Sequence, residues 1–194
     1  TLTVFDKLAK VLKKCPVIPE MRMVHDYYNH PAYIFAIAET IVKHRSQHGK
    51  PDKLLFSFHG IPKRYDDRGD PYVAQCHETG RLVAERLGLN ADEWIVTFQS
   101  RFGPAEWVKP YTMQTIESLP GDGIRSIDVI SPGFSADCLE TLEELAIQNR
   151  DVFMASGGEH FSYIPALNSD PLHINLLADL VEHQAVGWLS DSEN

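Results

Sequence analysis

His59 stands where the apolar run Leu54-Leu55-Phe56 gives way to a Gly60-Ile61-Pro62 turn, within the stretch LLFSFHGIPKRYDDRGDPY at residues 54–72. An imidazole changes charge nearest neutral pH, and its neutral ring either accepts a proton or ligates a metal. A second stretch, SPGFSADCLETLEEL at residues 131–145, brings carboxylates: Asp137, Glu140 and Glu144. Glu140, Glu144 and Gln148 recur every four residues and form one stripe along a helix face. Beside an imidazole, such a stripe has the donors to bind or guide a divalent cation, or to carry protons away. Each group also has a plainer reading. His59 packs as the cap of a strand, the stripe is a solvated face, and Asp137 is an N-cap with Glu140 three residues on, a variant of the capping box.

Other candidates carry less. Arg101, after Gln99-Ser100, has the planar fork that grips a carboxylate, or that ties down a loop. The segment His25-Asp26-Tyr27-Tyr28-Asn29-His30 is dense in ligand types, yet Asn29-His30-Pro31 reads as the start of a helix. His44 and His48 read as surface residues, and His160, His173 and His183 have no partner in the sequence. There is no phosphate-binding glycine loop, no GxSxG and no HExxH, which removes support for NTPases, serine hydrolases of that type and zincins.

The elements that must position His59 and Glu140 follow from hydrophobic spacing. Val4, Phe5, Leu8, Val11 and Leu12 predict a first helix ending before Pro16, and Met21–Val24 a short strand. Pro31 opens a helix that fades into a polar loop from Arg45 to Asp52. The apolar run ending at His59 predicts a strand covered on both faces, as parallel strands are. A helix over about 72–87, a strand over Trp94–Phe98, a short helix over Thr112–Leu119, a strand over Ile124–Ile130 and a helix over Asp137–Asn149 follow. Residues 151–166, with the Gly157-Gly158 pair, read as irregular, and a closing helix runs from Pro171 to about Glu182. Strands alternating with helices predict an α/β fold, doubly wound around a mainly parallel four-stranded sheet with helices on both faces. In such sheets the crevice at the carboxyl ends of the strands collects the ligand-binding loops. That brings together His59, Gln99-Ser100-Arg101 and the segment from Ser131 to Glu140. The candidate substrate pocket is therefore Ser57, Pro62, Gln99, Ser100, Arg101 and Phe134.

With 194 residues, 43% of them hydrophobic and 23% charged, the chain has the composition of an ordinary globular domain, and a single domain over 1–194 is the simplest division. A formal net charge of −9 leaves no basic stripe for nucleic acid. Cys15, Cys76 and Cys138 are odd in number and widely spaced, which predicts free thiols and a cytoplasmic protein. No apolar run approaches membrane-spanning length. The chain opens at Thr1 without an initiator Met, as a fragment does.

LLFSFHGIPKRYDDRGDPY, FQSRFGPAEWVKPYT and SPGFSADCLETLEELAIQNR, followed by YIPALN at 163–168, closely resemble the main motifs of the ferrochelatase family, which inserts ferrous iron into protoporphyrin IX to make haem. The resemblance is strongest to the proteobacterial type and covers nearly the whole chain. It implies a chelatase-like, Rossmann-type half: the carboxyl-terminal half of a two-domain enzyme, with the amino-terminal half of the porphyrin pocket missing. It implies His59 and Glu140 as the catalytic and metal-handling pair, with Glu144 on a metal or proton path. Cys138 takes a position that is histidine in the animal enzymes, and Gln148 one that is acidic there, so the acidic line is shorter. The resemblance further implies protoporphyrin IX and Fe2+ as substrates, no tightly bound cofactor, no iron-sulfur cluster, and peripheral association with a membrane. The alternatives are a related cobalt or sirohydrochlorin chelatase, and a module that binds porphyrin or haem without catalysis.

Overall fold

The computed structural model describes residues 2–188. The unalternating run around Leu54 forms β1 (Lys53–His59), whose five central residues are buried. It is flanked on one side by β2 (Trp94–Gln99) and on the other by β3 (Ser126–Ile130), which in turn pairs with β4 (His160–Ile164). The order is β2-β1-β3-β4 and every pairing is parallel. This is the doubly wound α/β arrangement that the alternation of strands and helices predicts. Parallel neighbours put all four carboxyl ends on one edge, and the β1–β2 register sets His59 directly beside Gln99.

Side chains on the two faces follow the alternation of the strands. Leu55, Ile127 and Val129 point to one face and pack with Ile116 of α5 (Thr112–Ser118), Leu119 of the following 3-10 turn, Leu145, and Phe153 of α6 (Arg150–Ala155). Their neighbours Phe56 and Asp128 point the other way, toward α4 (Tyr72–Arg86) and α2 (Pro31–His48). Pro31 opens α2, and the His30 ring accepts a hydrogen bond from the Ala32 amide at 3.3 Å, so the polar segment before it starts a helix. A short helix, α3 (Lys63–Asp66), follows the turn after β1.

Asp128 is a carboxylate in the middle of a buried strand. Burial raises its pKa, and the nearby Arg45 guanidinium, 3.4 Å from Oδ2, only partly offsets that cost. This pairing explains why α2 continues to His48 instead of fading at Arg45: its last polar turn faces the sheet. His44 is likewise no surface residue. Its side chain is 12% exposed, lies 3.8 Å from Asp128, stacks on the His48 ring at 4.2 Å, and is held below its ordinary pKa by burial first and neighbouring cations second.

Two expectations fail. Met21–Val24 forms no strand. Arg22 instead holds the segment with its side chain, donating to the carbonyls of Gln184 and Val186, each at 2.6 Å, and stacking on Trp188. Residues 151–166 are not irregular either, since they supply α6 and β4. The sheet thus has the expected four strands, but its fourth member is His160–Ile164. That segment carries strand-forming Phe161, Tyr163 and Ile164 and pairs along β3, Ser126 beside His160 through Ile130 beside Ile164. The described chain forms two compact units. Residues 28–174 hold the sheet, and the residues before 28 with those after 174 form the other, including α1 (Leu2–Leu12). The helix α7 (Pro171–Gln184), capped by Asp170 through the Leu172 amide at 2.9 Å, contains the boundary.

The reversal from α6 into β4 depends on the glycine pair. Gly157 has φ +101°, and a methyl group on Gly158 would stand 2.2 Å from the ring of the wholly buried Phe153. Gly158→Ala is expected to lower unfolding free energy by about 1–3 kcal/mol, the usual cost of overpacking. Gly121→Ala, which meets open space, serves as the control and leaves the urea midpoint unchanged.

Candidate functional site

The chain after β1 turns at once, and the turn determines the state of the histidine. His59 Nδ1 lies 2.7 Å from the carbonyl oxygen of Gly60. A carbonyl only accepts, so Nδ1 carries the proton and the lone pair of the neutral ring is on Nε2. The half-buried ring is flanked by Trp107 and Phe134, with centroids 6.2 and 6.5 Å away. Gly60 has no room for a side chain, since a Cβ would meet the Gln99 carbonyl at 3.0 Å and the Trp107 ring at 3.1 Å. Tyr72, whose hydroxyl is kept protonated by burial, donates to the His59 carbonyl at 2.9 Å and fixes the backbone from the other side.

Beneath this turn lies a buried polar network. Ser57 donates to Gln99 Oε1 at 2.7 Å, and the Ser131 hydroxyl donates to the Ser57 carbonyl at 2.7 Å and lies 3.3 Å from the same Gln99 oxygen. The Ser57, Thr112 and Thr97 hydroxyls continue the chain at 2.8 and 2.9 Å. Ser57 is wholly buried and Gln99 is 2% exposed. Both belong to the expected pocket set, but in the structure they hold its walls together and offer a substrate almost no surface.

The carboxylates come from a π-helix, Glu140–Asn149, a rare conformation that recurs at functional sites. Thr141, Leu145 and Asn149 face inward at every fourth position, which leaves Glu140 and Gln148 exposed and Glu144 half-buried. Glu140 is held below its ordinary pKa, first by the Cys138 thiol donating to Oε2 at 3.0 Å, then by its own backbone N–H, and further by His59 when that ring is protonated. It is therefore ionised at neutral pH and shares one electrostatic neighbourhood with His59. Glu144 is differently placed: Oε1 accepts from the Ser100 amide at 2.7 Å and Oε2 from the Ser100 hydroxyl at 2.5 Å.

Asp137 does not cap this helix. Its Oδ1 accepts from the Tyr163 hydroxyl at 2.7 Å, the Ala166 amide at 3.1 Å and the Thr141 hydroxyl at 3.2 Å, and its Oδ2 from Asn168 Nδ2 at 2.8 Å. The helix start is served by Thr141, whose hydroxyl accepts the Cys138 amide at 2.9 Å. The capping box expected for Asp137 and Glu140 is absent because the YIPALN segment competes for the Asp137 carboxylate and offers it more donors. Burial raises the Asp137 pKa, but the hydrogen bonds outweigh it and the carboxyl sits below its ordinary value of 3.8.

Of the remaining candidates, Phe134 stands against His59. Pro62 pairs with Trp107 in the turn, and Arg101 is exposed, its guanidinium 5.1 Å from the Tyr111 ring centroid. A cavity of about 220 Å³ lies beside Ser100, Arg101, Tyr111 and Glu144. A larger one, about 460 Å³, lies between α2 and residues 163–170 and includes none of the candidates. His173 is buried, with Nδ1 2.8 Å from the Asn168 carbonyl. Sequence reasoning passed over Trp107 and Tyr72. A tryptophan inside a Pro- and Gly-rich loop was the available signal for the first, whereas nothing in the sequence marked the second.

The comparisons with known proteins bear directly on this arrangement. Residues 1–185 match the family model for ferrochelatase. The chain belongs to the ferrochelatase family. It is 54% identical over 188 residues to the ferrochelatase of Hydrogenovibrio crunogenus, covering 97% of this chain and 50% of that protein. It is 55% identical over 181 residues to that of Aeromonas hydrophila, covering 93% and 56%. It is 54% identical over 190 residues to that of a Psychrobacter species, covering 98% and 56%. The chain thus spans about half the length of the curated relatives it matches.

The Asp137 clasp is testable by pH. A carboxyl whose folded pKa is depressed adds stability above its unfolded value and loses it as pH falls through the folded value. Asp137→Asn is therefore expected to cost about 1–2 kcal/mol at pH 7, with the gap to wild type narrowing once pH falls below the ordinary value of 3.8 and closing only below the depressed folded value, where both proteins carry a neutral group. Urea unfolding at pH 7 and pH 3 measures it, and a gap that stays constant with pH excludes the clasp.

Proposed function

We propose that the protein to which this chain belongs inserts Fe2+ into protoporphyrin IX to give protohaem. The observation that carries the proposal is the fixed tautomer of His59. Its Nδ1–H is committed to Gly60, which leaves the Nε2 lone pair free at the edge of the sheet, within electrostatic reach of an ionised Glu140.

Metal insertion requires the two pyrrole N–H protons to leave as Fe2+ enters, so the site needs a base and a group that tolerates positive charge. His59 Nε2 accepts pyrrole protons. Glu140, with the Cys138 thiol fixing one of its oxygens, attracts the cation or takes the second proton. Trp107, Phe134 and the exposed side of Pro62 supply an apolar margin suited to a flat macrocycle. The other wall comes from the part of the protein beyond this chain. Binding energy spent on bending the macrocycle exposes a nitrogen lone pair to the metal.

The reading includes Fe2+ as a substrate, no iron-sulfur cluster, and a cytoplasmic enzyme working beside the membrane. No helix among the described residues is long and apolar enough to cross a bilayer.

The test is His59→Ala in the full-length protein, with porphyrin binding and metal insertion measured separately. Removing a positioned base is expected to reduce insertion by about 10²–10⁴-fold while porphyrin binding, followed by fluorescence quenching, changes little. Near-native insertion by the variant removes His59 from the mechanism. Porphyrin binding by the wild type without insertion makes the protein a binding module, and insertion confined to cobalt and sirohydrochlorin makes it a different chelatase.

A further inference from the structure

Gln99 ends β2, Ser100 follows it, and both reach the π-helix, at sites one turn apart. Gln99 Nε2 lies 3.4 Å from the backbone carbonyl of Glu140, and Ser100 occupies both carboxylate oxygens of Glu144. Ser100 does so from φ +61°, a left-handed conformation that residues other than glycine seldom adopt. That conformation aims its amide and its hydroxyl at the same carboxylate. His59 is the register partner of Gln99 across β1 and β2. A continuous chain of contacts therefore runs from His59 through Gln99 and Ser100 to Glu144, and along the helix to Glu140.

A π-helix depends on its surroundings more than an α-helix does, because its hydrogen-bond geometry is poorer and its natural length short. Here ten residues hold that form. The two contacts from β2 lie in its first half, where Glu140 is presented. We infer that Ser100 is a positioning residue: by clasping Glu144 it fixes the register of the π-helix and so the placement of the Glu140 carboxylate relative to His59. On this account Glu144 acts as a hydrogen-bond acceptor in the frame of the site, and its negative charge is secondary. The inference rests on the metal-insertion reading for its kinetic consequences, and on the geometry alone for its structural ones.

Glutamine separates the two roles of Glu144, because it keeps an oxygen for the Ser100 amide and gives an N–H to the Ser100 hydroxyl while losing the charge. In the full-length protein, Glu144→Ala is expected to lower kcat for Fe2+ insertion roughly tenfold or more through misplacement, with KM for porphyrin within about twofold. Glu144→Gln restores most of that loss. Ser100→Ala, which keeps its backbone N–H bond, loses less than Glu144→Ala. The double variant Ser100→Ala/Glu144→Ala matches Glu144→Ala alone, since the hydroxyl then has nothing to hold. Amide hydrogen exchange across 140–149 gives a readout independent of turnover: faster in Glu144→Ala, near wild type in Glu144→Gln. The inference is overturned if Glu144→Gln is as impaired as Glu144→Ala with a raised KM for Fe2+, which would make the charge a cation site. Unchanged exchange in Glu144→Ala overturns it as well. Absence of insertion by the wild type defeats the proposed function instead, and leaves the exchange measurement to decide the clasp.

Discussion

The buried side-chain amide of Gln99 is where three strand ends and the π-helix meet. Its oxygen lies within hydrogen-bond distance of the Ser57 and Ser131 hydroxyls, from β1 and the end of β3, and its nitrogen reaches the Glu140 carbonyl. A buried amide that loses a partner costs about 1–3 kcal/mol, so such a network holds as a unit or fails as one. The parallel sheet brings the strand ends to one edge. The network converts that proximity into fixed positions for the loops that follow, including the turn bearing His59.

On that frame His59 and Glu140 are held in opposite ways. His59 is set by one hydrogen bond that selects its tautomer, with apolar rings on two sides. Glu140 is exposed and ionised, and a thiol orients it. Away from this edge the sheet carries a different buried charge, Asp128, whose partners Arg45 and His44 come from the last turns of α2. The polar residues of that helix thus serve packing, although their composition resembles a surface turn.

Much of the fold is legible in the sequence. The unbroken apolar run before His59, the β-branched run at 94–98 and the helical spacing around Tyr33 reflect local rules, strand and helix periodicity, which act within a few residues. His59 and Glu140 are nominated for the same reason, since residue type and position at an element's end suffice to single them out as candidates. The failures share one cause. HFSYI becomes β4 because β3 offers it a ladder, Met21–Val24 stays unpaired because no neighbouring strand does so, and Arg45 is drawn inward by a carboxylate 83 residues away in the chain.

The sequence by itself determined the alternation of elements, the parallel sheet and the chemistry available at its edge, because side-chain type and hydrophobic period are local properties. Only the tertiary structure decided which groups are tied into the frame and which stay exposed at its edge. Spacing alone put Glu140 and Glu144 on one equivalent stripe. Contacts across the sheet edge gave Glu144 to Ser100 and left Glu140 exposed, with the Cys138 thiol as its side-chain donor. Asp137 reads as a helix cap until YIPALN arrives from 26 or more residues away and claims it. A hydrogen-bond acceptor goes to the donors that surround it in space, and their identity is settled only when the chain has folded.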